Sequence, residues 1–350
     1  MFRFHKLKNV KIKMKNKFFN AIFIAAIFLL ASCTLQNSKP ADIDVHTGFE
    51  GLNIGFLKNT PPDKVFEGDI FPVIVKVKNN GAYSVTENSK AVLSLGVEKD
   101  YTKSLQLLHK GKIEVSEGVS SSAAFSLDGK SSINPIGSED TVSYNIEAGK
   151  IDPQSEFHQS TVIATVCYPY ETFLSSTVCI DTDVNNLRPA KKVCNAQDLF
   201  FPNGQGAPVA VTKIETRMLP AQLSEQSPGS DRIKPQFLIY VENKMPGLVI
   251  KSESAKDFCT KSDVSHDDYN IVYVDAALSN QQLTCQLDTQ QKDNLPGHIK
   301  LKDRKDIIRC ALEEGIDRNI DTYLSPLKVI LRYGYTQSVA SSYIIQKPVS

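Results

Sequence analysis

The chain has 350 residues, 41% of them hydrophobic and 23% charged, a balance that excludes a disordered polymer and a bundle of membrane spans. Gly (18) and Pro (17) together make up one residue in ten, which excludes collagen-like and low-complexity architecture. Seven of the 40 Lys and Arg fall within residues 1–33, with no acid among them; the rest of the chain carries 33 basic against 39 acidic residues and has no general attraction for nucleic acid.

The first 33 residues divide into three physical parts. Met1 to Lys17 is basic, the kind of stretch retained on the cytoplasmic side of a membrane. Phe18 to Leu30 is an apolar run broken only by Asn20. It is short for a spanning helix of about 20 residues and suits the hydrophobic region of a secretory signal. Met14 with Lys15-Asn16-Lys17 would also supply a sufficient basic start. Leu30-Ala31-Ser32-Cys33 closes the segment and resembles the lipobox of prokaryotic lipoproteins. The resemblance implies diacylation of Cys33, which becomes the first residue, and an extracytoplasmic protein attached to a membrane by lipid. The other reading of these residues is a plain signal anchor with Cys33 incidental.

Residues 34–45 (TLQNSKPADIDV) are polar and short, a tether. Strand and turn patterns follow. Phe71 to Lys78 alternates apolar and polar and ends at the turn signal Asn79-Asn80-Gly81. Residues 91–96 and 161–166 are further strands. Residues 306–321 read equally as a helix or as a strand followed by a loop.

An internal repeat organises the body. Tyr168-Pro169-Tyr170 lies 165 residues before Tyr333-Gly334-Tyr335. Ser175-Ser176-Thr177 stands at the same distance from Ala340-Ser341-Ser342, and Val77-Lys78-Asn79 corresponds to Val241-Glu242-Asn243 at an offset of 164. Each unit is expected to close with a hairpin around its Tyr-x-Tyr. The order argues an all-β protein of two tandem antiparallel β-sandwich domains. The divisions are a leader (1–32), a tether (33–45), a first sandwich (46–182), a linker (183–206) and a second sandwich (207–350). Glu67 to Ala82 (EGDIFPVIVKVKNNGA) resembles the opening of Ig-like and CARDB-type cell-adhesion-related domains of prokaryotic surface proteins. That resemblance implies that the two tandem sandwiches are Ig-like, with a surface role in adhesion or binding.

Besides Cys33 there are six cysteines, an even set in an exported chain that reads as three disulfides. Cys167 and Cys179 are equidistant from Phe173 at the expected hairpin tip and are expected to bond. Their counterparts Arg332 and Ile344 lack sulfur together. Cys285–Cys310 is expected between neighbouring strands, and Cys194–Cys259 by elimination.

Catalytic chemistry is hard to find. His46, His109, His158, His266 and His298 show no metal-ligand spacing, and no Gly-x-Ser-x-Gly, His-Glu-x-x-His or Walker loop occurs. Ser265-His266-Asp267-Asp268 reads as a polar turn. Asp181, Asp183 and Asn185 begin like a calcium loop, but Asn186 replaces the glycine and Lys192 the bidentate Glu, which excludes an EF-hand. A looser calcium site at the junction competes there with an Asx-rich linker. The tyrosines are either a ligand platform or core cover. The expected function is non-enzymatic: a lipid-anchored surface protein with a protein or glycan partner. The alternative is a lipoprotein that captures a solute or peptide.

Overall fold

The computed structural model describes residues 44–109, 112–116, 120–189, 191–220, 232–260, 265–286 and 297–348; the leader, Cys33 and the start of the tether lie outside them. Ile43–Ser350 form one compact unit. Its first half contributes β1 (Leu52–Phe56), β2 (Lys64–Phe66), β3 (Ile70–Asn79), β4 (Ala91–Val97), β5 (Thr102–His109), β6 (Lys112–Ser116), β7 (Ser120–Phe125), β8 (Glu139–Ala148) and β9 (Phe157–Ile180). The second half contributes β10 (Leu199–Phe200), β11 (Val209–Pro220), β12 (Arg232–Asn243), β13 (Leu248–Ile250), a short helix α1 (Ala255–Thr260) and β14 (Ile271–Leu278). It continues with β15 (Gln281–Gln282), β16 (Thr284–Gln286), β17 (His298–Lys300), β18 (Lys305–Ala311), β19 (Ile316–Asp317) and β20 (Tyr323–Gln346). The segment 306–321 is therefore strand and turn, with no helix.

The fold is an all-β antiparallel sandwich architecture. One five-stranded sheet (β1-β3-β8-β5-β6) belongs to the first half, and one six-stranded sheet (β10-β11-β12-β18-β16) to the second. Both pack on a shared sheet built along β15-β14-β20-β9-β4-β7. Alternation dictates the packing faces. Phe71, Val73, Val75 and Val77 of β3 are buried, as are Val142, Tyr144 and Ile146 of β8 and Phe237, Ile239 and Val241 of β12.

The expected hairpins around Tyr-x-Tyr are absent. Cys167 and Cys179 lie on one continuous strand: β9 and β20 each run for 24 residues and pair antiparallel over their whole length. The alternation explains this, because Val162, Ala164, Val166, Tyr168, Tyr170, Thr172 and Leu174 are buried in unbroken period two. Pro169 does not end the strand; it stands opposite Gly334. Tyr168 stands opposite Tyr335, and Tyr170 opposite Tyr333. With the halves offset by 165 residues, that ladder is its own image: a pseudo-twofold axis passes between Pro169 and Gly334.

The hydrogen bonds obey the axis. In the first half Asn79 Nδ2 donates to Tyr83 O (2.8 Å), while Asn79 Oδ1 accepts from Gly81 N (3.1 Å) and from Tyr170 OH (3.2 Å). In the second, Asn243 Nδ2 donates to Gly247 O (2.9 Å), and Asn243 Oδ1 accepts from Met245 N (3.3 Å) and Tyr335 OH (3.3 Å). Likewise Leu52 N donates to Tyr168 OH (3.1 Å) and Val209 N to Tyr333 OH (3.3 Å). Burial pushes the phenol pKa values of all four tyrosines well above the ordinary value.

Contacts also cross between halves, and again in matched fashion. Thr172 Oγ1 donates to Val209 O (2.5 Å), and Gln337 Nε2, its image, donates to Leu52 O (2.6 Å). The end of β20 serves the first sandwich: Tyr343 packs on Phe71 (ring centroids 4.9 Å apart), and β2 pairs parallel with Ile344 to Gln346. Each sandwich therefore contains half of a strand that begins in the other.

Asn79→Ala and Asn243→Ala should each strand a buried phenol and a turn amide, costing about 2–3 kcal/mol apiece. Denaturant titration of both variants checks this, and near-equal losses are the expected signature of the internal symmetry.

Candidate functional site

The junction loop after β9 is where the sequence pointed to calcium. Asp181 and Asp183 are buried there, while Asn185 is exposed. Asp181 Oδ1 accepts from Asp183 N (2.9 Å) and Thr322 Oγ1 (3.2 Å), and its Oδ2 meets Lys192 Nζ at 2.7 Å. Lys192 Nζ also donates to Asp183 O (2.5 Å). Asp183 Oδ1 and Oδ2 accept from Leu187 N (2.9 Å) and Arg188 N (3.0 Å). These backbone donors, Arg188 N first and then Leu187 N, hold the Asp183 carboxyl below its ordinary pKa. The cation of this cluster is thus an ammonium in the same loop. Among the described residues, no group of three or more His, Cys, Asp or Glu is arranged to hold a metal.

The disulfides correct two of the three expected pairings. Cys285–Cys310 forms, between directly paired residues of β16 and β18. Cys167 is bonded to Cys259 of α1, and Cys179 to Cys194 of the junction loop. The expected Cys167–Cys179 bond is impossible on one extended strand, where twelve residues span roughly 40 Å. The expected Cys194–Cys259 bond falls with it, since each sulfur has another partner. Cys167–Cys259 pins α1 onto the outer face of the shared sheet. Gly334 leaves room for that seat: a Cβ there would lie 2.8 Å from Ala255 Cβ and 2.7 Å from Ile250 Cγ1.

Beside α1 the same outer face carries a cross-strand row. His298 pairs with Tyr273, Tyr273 with Arg332, and Arg332 with Glu171, on β17, β14, β20 and β9 in turn. Side chains directly opposite on one face touch. Arg332 Nε donates to Glu171 Oε2 (3.0 Å), its guanidinium stands 5.7 Å from the Tyr273 ring centroid, and the Tyr273 and His298 rings are 5.0 Å apart. Of this row, His298, Tyr273 and Arg332 line, with Lys251, Ser252 and Glu253, a depression of about 280 Å³. Its lining offers cations, an aromatic face and the Glu253 carboxylate, a set able to engage polar groups. Sequence reasoning passed over this row, since only the register brings its members together. The position of Arg332, matching Cys167 in the repeat, was the one available signal.

A second depression, of about 450 Å³, lies on the outer face of the six-stranded sheet, with Tyr240, Lys305 and Ile307 in its lining. Nearby, Lys213 above all, with Tyr240 and Arg217, draws the Glu215 pKa down to about 2.

The remaining sequence candidates are dispersed. Tyr168, Tyr170, Tyr333, Tyr335 and Tyr343 are buried, so they form core and no accessible platform. Ser265-His266-Asp267-Asp268 is a capped turn: Ser265 Oγ accepts from Asp267 N (3.3 Å), and Ser254 Oγ donates to Asp268 Oδ2 (2.6 Å). His158 Nε2 lies 3.0 Å from Glu98 and its ring stacks on Tyr101 at 3.5 Å. Among the described residues no helix is long and apolar enough to cross a membrane.

No protein-family model matches the chain, and no curated protein matches it in sequence. Among solved structures it is similar to a partial N-terminal region of the enterococcal surface protein, with 9% identity, 87% of this chain and 95% of that one covered, and a TM-score of 0.21. It is also similar to the B domain of a biofilm associated protein (10% identity, 81% and 72% covered, TM-score 0.22). A third is the CupB6 tip adhesin from Pseudomonas aeruginosa (8% identity, 87% and 98% covered, TM-score 0.16). Likeness at such scores carries no information about function.

Two measurements check the loop. Non-reducing peptide mapping should recover Cys167 with Cys259 and Cys179 with Cys194; a Cys167–Cys179 peptide would contradict the continuous strand. The stabilisation from the lowered pKa of Asp183 is present above the unfolded carboxyl value of about 3.9 and is lost as pH falls through the lower native value. Asp183→Asn should therefore lower Tm at pH 6, and its gap to the parent protein should narrow as the pH approaches 2.

Proposed function

We propose that the chain is an exported envelope protein, held to a bilayer by lipid at Cys33, that acts as a rigid non-catalytic binding module. The observation that carries this reading is the state of its cysteines: all six beyond Cys33 are joined in three disulfides, as suits an oxidising, extracytoplasmic compartment. Cys33 stands outside that set, behind the basic and apolar leader, at the end of the lipobox-like Leu30-Ala31-Ser32-Cys33. A protein or glycan partner would meet the row of His298, Tyr273, Arg332 and Glu171 on the outer face, where charge and an aromatic surface stand together. The other reading, capture of a solute by closure of two domains, is less well supported. Closure needs a hinge, whereas 24 paired residues tie the halves through β9 and β20.

Metabolic labelling with radioactive palmitate tests the anchor. The intact protein should take up label and Cys33→Ser should not; an unlabelled parent protein would overturn the attachment. Cross-linking on whole envelopes tests the binding role, with a partner expected to be captured by the parent protein and lost on Tyr273→Ala with Arg332→Ala.

A further inference from the structure

One end of the shared sheet carries a cluster of exposed aliphatic side chains. Leu187 (77% exposed) and Val193 (72%) project from the junction loop, and Leu324 (60%) from the start of β20, with Val184 and Ile320 also exposed. They belong to one surface. Leu324 is the register partner of Cys179, which is bonded to Cys194, the neighbour of Val193. Thr182 Oγ1 and Arg188 Nη1 both donate to Ile320 O, at 2.5 and 3.0 Å.

The loop that presents Leu187 and Val193 is firmly held. The Cys179–Cys194 bond, the Lys192–Asp181 ion pair and the two backbone amides on Asp183 fix it at both ends and in the middle. Its aliphatic side chains are thus kept in water by an ordered backbone, and exposed apolar clusters of this kind mark contact surfaces. Arg188 and Lys192 are matched by Asp321 and Asp181, so apolar contact outweighs charge as the driving contribution.

We propose that this cluster is the face by which the protein rests on the lipid bilayer to which Cys33 attaches it, the aliphatic tips entering the headgroup boundary. The inference rests on the lipid anchor proposed above, and the length of the tether favours a membrane as the occupant. The described chain begins on the same outer face, where the His46 ring lies 5.8 Å from the Phe173 ring. Phe173 precedes Cys179 by six residues of β9, roughly 20 Å of strand. The ten residues between Cys33 and Asp44 can span up to roughly 36 Å. A bilayer that holds Cys33 is therefore within reach of Leu187, Val193 and Leu324.

The test removes the lipid and asks whether the face still binds. Ile43–Ser350 form one compact unit with its own core and disulfides, so a chain beginning at Thr34 and exported behind a cleavable leader keeps the fold. Flotation with vesicles of phosphatidylethanolamine and phosphatidylglycerol should recover a measurable fraction of it. Leu187→Asp with Val193→Asp should lower that partition on the order of tenfold or more, with Tm unchanged because both side chains are exposed. Phe157→Asp, an exposed aromatic at the far end of β9, should leave partition unchanged. The proposal is overturned if the Thr34 chain does not float or if Phe157→Asp is equally damaging. It is also overturned if the double substitution changes only self-association in sedimentation. Palmitate labelling of the parent protein reads the anchor separately, so failure of the anchor and failure of the face are distinguishable.

Discussion

Two backbone positions hold the molecule together. Leu52 opens β1 and Val209 opens β11, and each gives its N–H to that half's own tyrosine while its carbonyl accepts from a side chain of the other half. Val209 O accepts from Thr172 Oγ1 across the seam (2.5 Å), and Leu52 O accepts a short bond from Gln337 Nε2 across it (2.6 Å) beside a longer one from Tyr168 OH of its own half (3.5 Å); a buried polar group left unpaired costs about 1–3 kcal/mol. The β9–β20 ladder, the four tyrosines in edge-to-face and tilted contact, and the two Asn-centred turns all surround these positions. Both sandwiches depend on that seam: the first is closed by the end of β20, and the second by the end of β9.

The seam also explains how rigid the outer surface is. Residues directly opposite across a continuous sheet keep fixed neighbours, so His298, Tyr273, Arg332 and Glu171 form a row without any loop to position them. The Cys167–Cys259 bond adds a helix beside that row and, on the chain-entropy model, closes a loop worth about 4.5 kcal/mol; Cys179–Cys194 closes a shorter one worth roughly 3 kcal/mol. The Arg332–Glu171 pair is half-buried at the sheet surface, and surface ion pairs are worth only about 0–1 kcal/mol. The Arg332–Glu171 pair therefore contributes little to stability.

Much of this was legible in the residues. The all-β class followed from alternation, and the repeat offset of 164–166 located the equivalent asparagines and tyrosines. Cys285–Cys310 followed from adjacency. What misled was local chemistry overridden by a distant partner. Pro169 and the Ser175-Ser176-Thr177 patch carry turn character, and strands of more than about ten residues are uncommon. Yet the inward period from Val162 to Leu174 never breaks, and it favours one strand over two arms. The pairings of Cys167 and Cys179 depend on where α1 and the junction loop come to rest, which no spacing reveals. The calcium-like Asp181-x-Asp183-x-Asn185 shows the same limit: the acids were visible, but the ammonium that answers them sits at Lys192, beyond Asn186 with its left-handed backbone (φ 53°).

An axis inside a single chain differs from one between two copies. In a homodimer every substitution appears twice, so a charge or a thiol beside the axis always faces its own duplicate. Here outward-facing positions close to the axis have parted ways. Cys167 opposite Thr336 and Arg332 opposite Glu171 are images of one another, and one has become a covalent clasp while the other became an ion pair. A dimer of identical chains would be obliged to carry two clasps or two ion pairs. Joining the halves in one polypeptide lets the fold keep its symmetric core of tyrosines and asparagines while its outer face specialises, pinned by a helix at Cys167 on one side of the axis and carrying the Arg332 ion pair on the other.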